Sequence, residues 1–477
     1  MSNDLKILSV DLDGTLIKSD MLYETFWSAF AKDSLTPFKT FFALLKGKAN
    51  LKNTLYKMSS IDIKSLPYNE VVIDYINIHR SNGGKVAMVT ATTQELADDI
   101  AIHLNLFDQV HGSSSSKNLI GLTKANFQKK IFGEKNFDYI GNSFEDLESW
   151  KISDIAITLN ASKSLKRNCE KNNNNSIHLL NINKPSFFDS FIKEIRLYQW
   201  IKNILVFIPM IAAQSFEITS FSKSFIAFIA FNFTASSVYI INDFLDIKAD
   251  RNHPKKRYRP LASGDLSFSH GSICGFLLLI AGLIFGFILG GSFLKVLLTY
   301  FLLTLSYSIF LKKKEIIDIF ILSGLYTLRI IAGGAATNLE ISFWLLAFSI
   351  FIFFSLAAIK REAELIDLID RGKVKIDNRG YKINDLDFIK ILSITSGMLS
   401  TLVLALYINT PKVLNSYNNI ELLWVVCSLF LFWIIRICFK THRGEMNYDP
   451  VIFALKDRIS NFIFVIIILL ILLSVFL

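Results

Sequence analysis

The chain has 477 residues, of which 52% are hydrophobic, with four cysteines and a formal net charge of +10. That length accommodates two or more domains, and a mean hydropathy of +0.40 excludes a soluble globular protein throughout. Cys169, Cys274, Cys427 and Cys438 are too scattered for a disulfide framework or a zinc site; the last three fall in or beside apolar runs and read as packing residues.

The N-terminus, MSNDLKILSVDLDG, lacks the basic and apolar regions of a signal peptide, so the first domain is expected in the cytoplasm. Residues 5–11, 85–90 and Phe137–Ile140 are short apolar runs ending in polar residues. With helical stretches between them, they predict an α/β domain built on a parallel sheet. Residues 20–80 lack strand alternation and read as a helical insertion or cap.

Asp11-Leu-Asp13-Gly14-Thr15 follows the first strand. Two carboxylates at i and i+2 suit nucleophilic attack plus acid–base work on a phosphate. The glycine lets backbone N–H groups approach that phosphate. The plainer reading is a turn that merely ends a strand. Thr90 ends the second strand. Lys124 suits phosphate neutralisation, with Lys117, Lys129 and Lys130 as neighbouring candidates. Gly141-Asn142-Ser143-x-x-Asp146 follows the third strand.

These four elements, in this order, resemble the haloacid dehalogenase (HAD) phosphatases over about residues 5–160. The resemblance implies a Rossmann-like domain with a cap at about 20–80. It makes Asp11 the nucleophile that forms an aspartyl-phosphate, Asp13 the general acid/base, and Thr90 and Lys124 the phosphate ligands. Mg²⁺ would sit on Asp11, Asp13, Asn142 and Asp146. The family often has Asp where Asn142 stands; Asn keeps an oxygen ligand but removes a charge, which weakens the metal site.

Residues 160–185 read as a linker, because Asn172–Asn175 is a run of asparagines that builds no core; the expected boundaries are 1–160, 161–190 and 191–477. Beyond the linker, nine apolar runs could span a bilayer, centred near residues 208, 232, 281, 302, 325, 350, 398, 429 and 468. Pro209 makes the first the weakest. Loops predicted inside carry 22 Lys and Arg, against Lys223, Lys295 and Lys412 in those predicted outside. This is the positive-inside pattern, and it explains the basic balance without nucleic acid. A multi-pass protein of a bacterial inner membrane is expected, with the N-terminal domain cytoplasmic.

Asn242-Asp243-x-x-Asp246-x-x-x-Asp250 lies at the inner end of the second span. On a helix, this spacing puts three carboxylates on one face, where they repel unless a cation such as Mg²⁺ joins them. Arg251, His253, Lys255, Lys256, Arg257 and Arg259 follow and suit phosphates. The next inner loop holds Tyr307, Lys312, Lys313, Lys314 and Asp318. Arg329 lies deep in the fifth span, beside Gly333 and Gly334, and a charge there marks a functional site. A third inner loop is expected to open with Lys360, Arg361 and Glu362. The plainer reading of the basic loop residues is topological anchoring.

The Asp motif, followed by Arg257-x-Arg259-Pro260-Leu261-Ala262-Ser263-Gly264, resembles the UbiA superfamily of membrane prenyltransferases over roughly residues 190–477. The resemblance implies an all-α nine-helix bundle, Mg²⁺ on Asp243, Asp246 and Asp250, and a second metal or substrate position at Asp318. Gln199-Trp200-Ile-Lys202-Asn203, His253-Pro254-Lys255-Lys256-Arg257, Tyr307-Ser308 with Lys312 and Asp318, and Leu328-Arg329-x-x-Ala332-Gly333-Gly334 resemble decaprenyl-phosphate phosphoribosyltransferases. Those enzymes join a polyprenyl phosphate to phosphoribosyl diphosphate (PRPP). On this reading Asn242, Lys255, Arg257, Arg259, Tyr307 and Lys312 bind substrate. Lys202 and Arg329 orient the lipid phosphate for attack at ribose C1. The HAD domain would then remove the 5-phosphate of the product. Two alternatives stand beside this: prenyl transfer to an aromatic acceptor, with a phosphatase acting elsewhere, and a transporter with a regulatory domain.

Overall fold

A computed structural model describes residues 6–114, 118–180, 185–370, 372, 379–446 and 449–476. Lys117, Arg371, Lys373 and Lys375, and the side chain of Lys412, lie outside what it describes. The sheet has six strands: β1 (Ile7–Val10), β2 (Val86–Thr93), β3 (Gln109–Ser113), β4 (Phe137–Gly141), β5 (Ala156–Leu159) and β6 (Ser176–Leu179). All pair in parallel in the order β3-β2-β1-β4-β5-β6, with Ser9 opposite both Ala87 and Tyr139. A strand buried on both faces must be apolar nearly throughout; Leu8, Val10, Val86, Met88, Ile140 and Ile157 are buried accordingly.

Helices α1 (Met21–Lys32), α2 (Thr36–Leu45) and α3 (Lys48–Met58) form the cap. The next helix, α4 (Glu70–Ser81), belongs to the sheet layer, because Val72 and Ile76 pack into the core beside β1 and β2. The cap is therefore shorter than 20–80. α5 (Gln94–Leu104), α6 (Leu122–Phe132) and α7 (Leu147–Ile152) complete the crossovers.

The stretch expected to be a linker folds instead. α8 (Lys163–Asn172) starts on a Ser162 cap, and β6 adds to the sheet edge beside β5. Within the asparagine run Asn173 is buried and acts as a hydrogen-bonding plug, while Asn172, Asn174 and Asn175 are exposed. The Asn173 side-chain amide donates to the carbonyls of Trp150, Ser153 and Asp154 at 2.9–3.1 Å.

The compact unit holding this sheet is discontinuous: it comprises residues 1–195 together with 240–274. The later segment is tied in by a buried ion pair. Arg251 donates through both terminal nitrogens to the Glu24 carboxylate, at 3.1 and 2.5 Å. Phe244 stacks on Trp27 at 4.5 Å and on Phe268 at 5.3 Å. These contacts move the Asp motif out of the domain expected to begin at 191.

The second unit, residues 196–239 and 275–477, is helical. Among the described residues, seven helices are long and apolar enough to cross a membrane, and two bent pairs raise the possible number to nine. At Pro209 the first run becomes a 3-10 helix, Leu197–Phe207, followed by the short helix Ile208–Ala212. The last run bends by 82° between Pro450–Lys456 and the helix that follows. Helix Phe343–Asp370 continues ten residues beyond Lys360, so Lys360, Arg361 and Glu362 are helical and open no loop. At Gly333 a Cβ would lie 2.0 Å from the Val206 carbonyl oxygen, so glycine alone permits that approach.

Candidate active sites

β1 delivers Asp11 and Asp13 to a cavity of about 760 Å³ within the first unit. The turn after them needs Gly14: its φ is +73°, and a Cβ there would lie 2.3 Å from the Asn142 side-chain nitrogen. α6 presents Lys124 from the other side, where its ammonium donates to Asp11 Oδ1 at 2.7 Å and to the Tyr139 hydroxyl at 2.9 Å. Asp13 accepts from the Met21 N–H at 2.7 Å and from the Thr92 hydroxyl at 2.9 Å.

Burial pushes Asp11 up to about 6; Lys124 pulls it down and Asp146 pushes it further up. Asp13 rises to about 7, through burial and then repulsion from Asp20 and Asp11. Burial alone disfavours the Lys124 charge, yet Asp11 and Asp146 hold its pKa above the ordinary lysine value. A carboxyl near neutrality can hold or release a proton at working pH, as a general acid/base requires.

Folded Asp13 binds protons more tightly than the unfolded residue, so its contribution to stability is full below 3.8 and is lost as pH rises through about 7. With chelator present, thermal melts of the wild-type chain measured against Asp13→Asn are expected to show that advantage shrinking from pH 4 to 7. A difference that grows with pH would contradict the burial of Asp13.

Thr90 is fully buried, accepts from the Thr92 N–H at 3.1 Å, and does not line the cavity. β2 runs on to Thr93, which carries the lining position to Thr92. Asp146, expected as a metal ligand, lines the same cavity and is engaged in hydrogen bonds there. Its Oδ2 accepts from Asn142 N, Ser143 N and Ser143 Oγ at 3.0–3.1 Å, and its Oδ1 accepts from Tyr139 at 2.6 Å. The carboxylate holds the 142–146 turn. Lys52 of the cap also lines the cavity and donates to Ala91 O at 2.5 Å; it stands in no motif.

Among the described residues, no three His, Cys, Asp or Glu side chains form a ready metal cage. Mg²⁺ usually needs only one or two carboxylates, with water and substrate oxygens completing its shell. Asp11, Asp13 and Asp146 act on the buried ammonium of Lys124 and Asp13 also on Lys52, while Asp11 repels Asp13, a repulsion that a dication would relieve. Asp11, Asp13 and the Asn142 side chain fit a hard dication.

The Asp motif is less regular than its spacing. Helix Ile218–Leu245 ends before Asp246, and a short helix, Ile247–Arg251, follows. Arg259 donates to Asp243 at 3.1 Å and to Asp250 at 2.5 Å, while Asn242 donates to Asp246 at 3.0 Å. Burial raises Asp250 to about 6, although Arg259 lowers it and Asp243 adds to the rise. Two buried carboxylates sharing one guanidinium again fit an added dication. Lys255 and Arg257 are exposed, and Arg257 lies over its neighbour Tyr258. Arg251 turns away to Glu24.

In the second unit, Lys202 lies 2.6 Å from Asp449 and 5.8 Å from the Tyr326 ring centre, and Lys360 lies 3.2 Å from the same carboxylate. Arg329 donates to Asn203 Oδ1, Leu325 O and Tyr300 OH at 2.6–3.1 Å, all neutral partners. A buried cation whose hydrogen-bond partners among the described residues are neutral remains available to an anion. Lys312 is buried in the turn Leu311–Lys313.

Asp318 does not stand open to a metal. Arg379 donates to it at 2.9 Å and Tyr381 at 2.9 Å, and Arg361 Nε lies 2.7 Å away, near enough for an ion pair though off a hydrogen bond's line. Tyr307 joins this group by accepting from Arg379 at 3.0 Å. Asp449, Arg361 and Arg379 were absent from the predicted site. Asp449-Pro450 is a helix-start signature, but its partner Lys202 lies 247 residues away.

The UbiA prenyltransferase family model matches residues 203–443. The chain belongs to the UbiA family. An uncharacterized protein, y4nM, of Sinorhizobium fredii is 34% identical over 97% of this chain and 92% of its own length. The decaprenyl-phosphate phosphoribosyltransferase of Mycolicibacterium smegmatis is 33% identical over 57% of this chain and 88% of its own. A substrate-bound phosphoserine phosphatase structure is 16% identical, with a TM-score of 0.26 over 34% of this chain and 90% of its own. The phosphatase reading rests on the pocket around Asp11, not on that likeness. As a UbiA protein the chain is a membrane enzyme, and its Asp motif lies inside the matched region.

Proposed function

We propose that this UbiA protein transfers the 5-phosphoribosyl group of PRPP to a polyprenyl phosphate, and that its Asp11 pocket then removes the 5-phosphate. The observation that carries the first step is the likeness, over most of their length, to decaprenyl-phosphate phosphoribosyltransferases. The unneutralised Arg329 and the Lys202–Asp449–Lys360 group supply the cationic surroundings that a phosphate acceptor needs. An oxygen of the lipid phosphate attacks ribose C1, the bond from C1 to the diphosphate breaks, and diphosphate leaves. The phosphate oxygen is already anionic, so no strong base is required. Lys202 and Arg329 orient it.

In the second step an Asp11 oxygen attacks phosphorus, and the bond to the ribose 5-oxygen breaks. Asp13 gives that oxygen its proton. Water then hydrolyses the aspartyl-phosphate, with Asp13 accepting the proton, and phosphate departs. Mg²⁺, held by Asp243, Asp246 and Asp250 in one site and by Asp11, Asp13 and Asn142 in the other, would neutralise the phosphate oxygens. The excess of Lys and Arg in the loops expected inside supports a cytoplasmic side for both steps.

Purified protein given PRPP, a polyprenyl phosphate and Mg²⁺ is expected to release diphosphate and form a ribosylated lipid, read by mass spectrometry. Product only from a prenyl diphosphate with an aromatic acid would overturn the sugar transfer in favour of aromatic prenylation.

A further inference from the structure

α2 is built inside out. Its sequence, Thr-Pro-Phe-Lys-Thr-Phe-Phe-Ala-Leu-Leu, turns Thr36, Thr40 and Ala43 inward. It leaves Phe38, Phe41, Phe42 and Leu45 exposed at 68%, 59%, 63% and 70%. A cap helix facing water would do the reverse. The helix carries no acidic residue, and Lys39, Lys46 and Lys48 lie along or just after it. Large apolar residues flanked by lysines are the pattern of a helix lying in the interface of a bilayer.

The bilayer is the occupant that the rest of this unit requires. The unit contains residues 268–274, the first turns of Phe268–Leu289, a candidate span of mean hydropathy 2.6. Tyr23 of the cap stacks on Phe268 at 6.4 Å. The cavity that receives Asp11 is lined both by Ser267–Ser269, where this span begins, and by Leu44 of α2. Its wall therefore includes residues of a candidate span and of the apolar-faced α2.

We propose that α2 embeds Phe38, Phe41, Phe42 and Leu45 in the bilayer interface, so that the Asp11 pocket opens at the membrane surface and takes a lipid-linked phosphomonoester. The choice of substrate rests on the phosphatase reading above; the embedding of α2 does not.

Two measurements on the full chain in nanodiscs of phosphatidylcholine and phosphatidylglycerol separate them. In a Cys274→Ser background, a nitrobenzoxadiazole label at Phe41→Cys is expected to be quenched strongly by acyl-chain nitroxide lipids. The same label at Ile102→Cys, a site 78% exposed on α5, should be quenched little; equal quenching at the two sites overturns the embedding. The Phe38→Ser/Phe41→Ser/Phe42→Ser protein is expected to lose about tenfold in kcat/KM on a 5-phosphoribosyl lipid. Its hydrolysis of p-nitrophenyl phosphate should stay at the wild-type rate. Equal effects on both substrates, or none on the lipid, overturn the lipid-linked assignment. Wild-type protein that hydrolyses neither substrate defeats the phosphatase reading, while the quenching result still decides the position of α2.

Discussion

Asp11→Asn is expected to release diphosphate from PRPP at the wild-type rate while its lipid product keeps the 5-phosphate. The amide is a poor nucleophile, so phosphate release should fall by on the order of 10³-fold or more. The change is nearly isosteric, and Asn can still accept from Lys124, which donates to Asp11 at 2.7 Å in the native protein. A folding defect would lower both activities, whereas loss of the nucleophile lowers one. Mass spectrometry of the lipid pool distinguishes them: an added phosphate on every ribosylated lipid supports consecutive steps, and an unchanged pool would sink the pairing.

The second large effect falls on stability. Arg251→Ala leaves Glu24 as a carboxylate 1% exposed, without its guanidinium. Removing one partner of a buried pair costs about 3–5 kcal/mol, because the remaining charge stays desolvated. The same change frees the Ala262 carbonyl, to which Arg251 Nε donates at 3.0 Å. Replacing both partners with apolar residues, as in Glu24→Leu/Arg251→Met, should recover most of that loss. Hydrogen exchange at α1 and at residues 247–251 reads both results. Protection equal to wild type in Arg251→Ala would show that the pair contributes nothing.

The parts legible in the sequence were those in which residue type alone carries the chemistry. Asp11-x-Asp13-Gly14 ends an apolar strand, and the pattern contains both the nucleophile and the turn. β3, β5 and β6 are not among the predicted strands: β3 and β6 are edge strands with polar residues and no long apolar run, and β5 is only four residues, Ala156–Leu159. Thr92 displaced Thr90 because the strand outlasts its apolar run. The Asp motif was legible as three carboxylates, but the break before Asp246 and the bridge through Arg259 depend on packing. Asp318 reads as a metal ligand because its arginine partners, Arg361 in a helix and Arg379 in a bend, stand 43 and 61 residues further along the chain. The outward face of α2 was not legible either, because the fold buries its threonines and leaves its phenylalanines exposed.

The discontinuity of the first unit bears on how the gene can be cut. An expression fragment ending at residue 195 would retain the whole sheet and the cap, yet it would lack Arg251, Phe244 and Ser267–Ser269. Glu24 and Trp27 would then face solvent, and one side of the cavity would be missing. A workable soluble version must graft residues 240–274 back onto the fragment, or redesign the surface they cover, before its hydrolytic activity can stand for that of the intact protein.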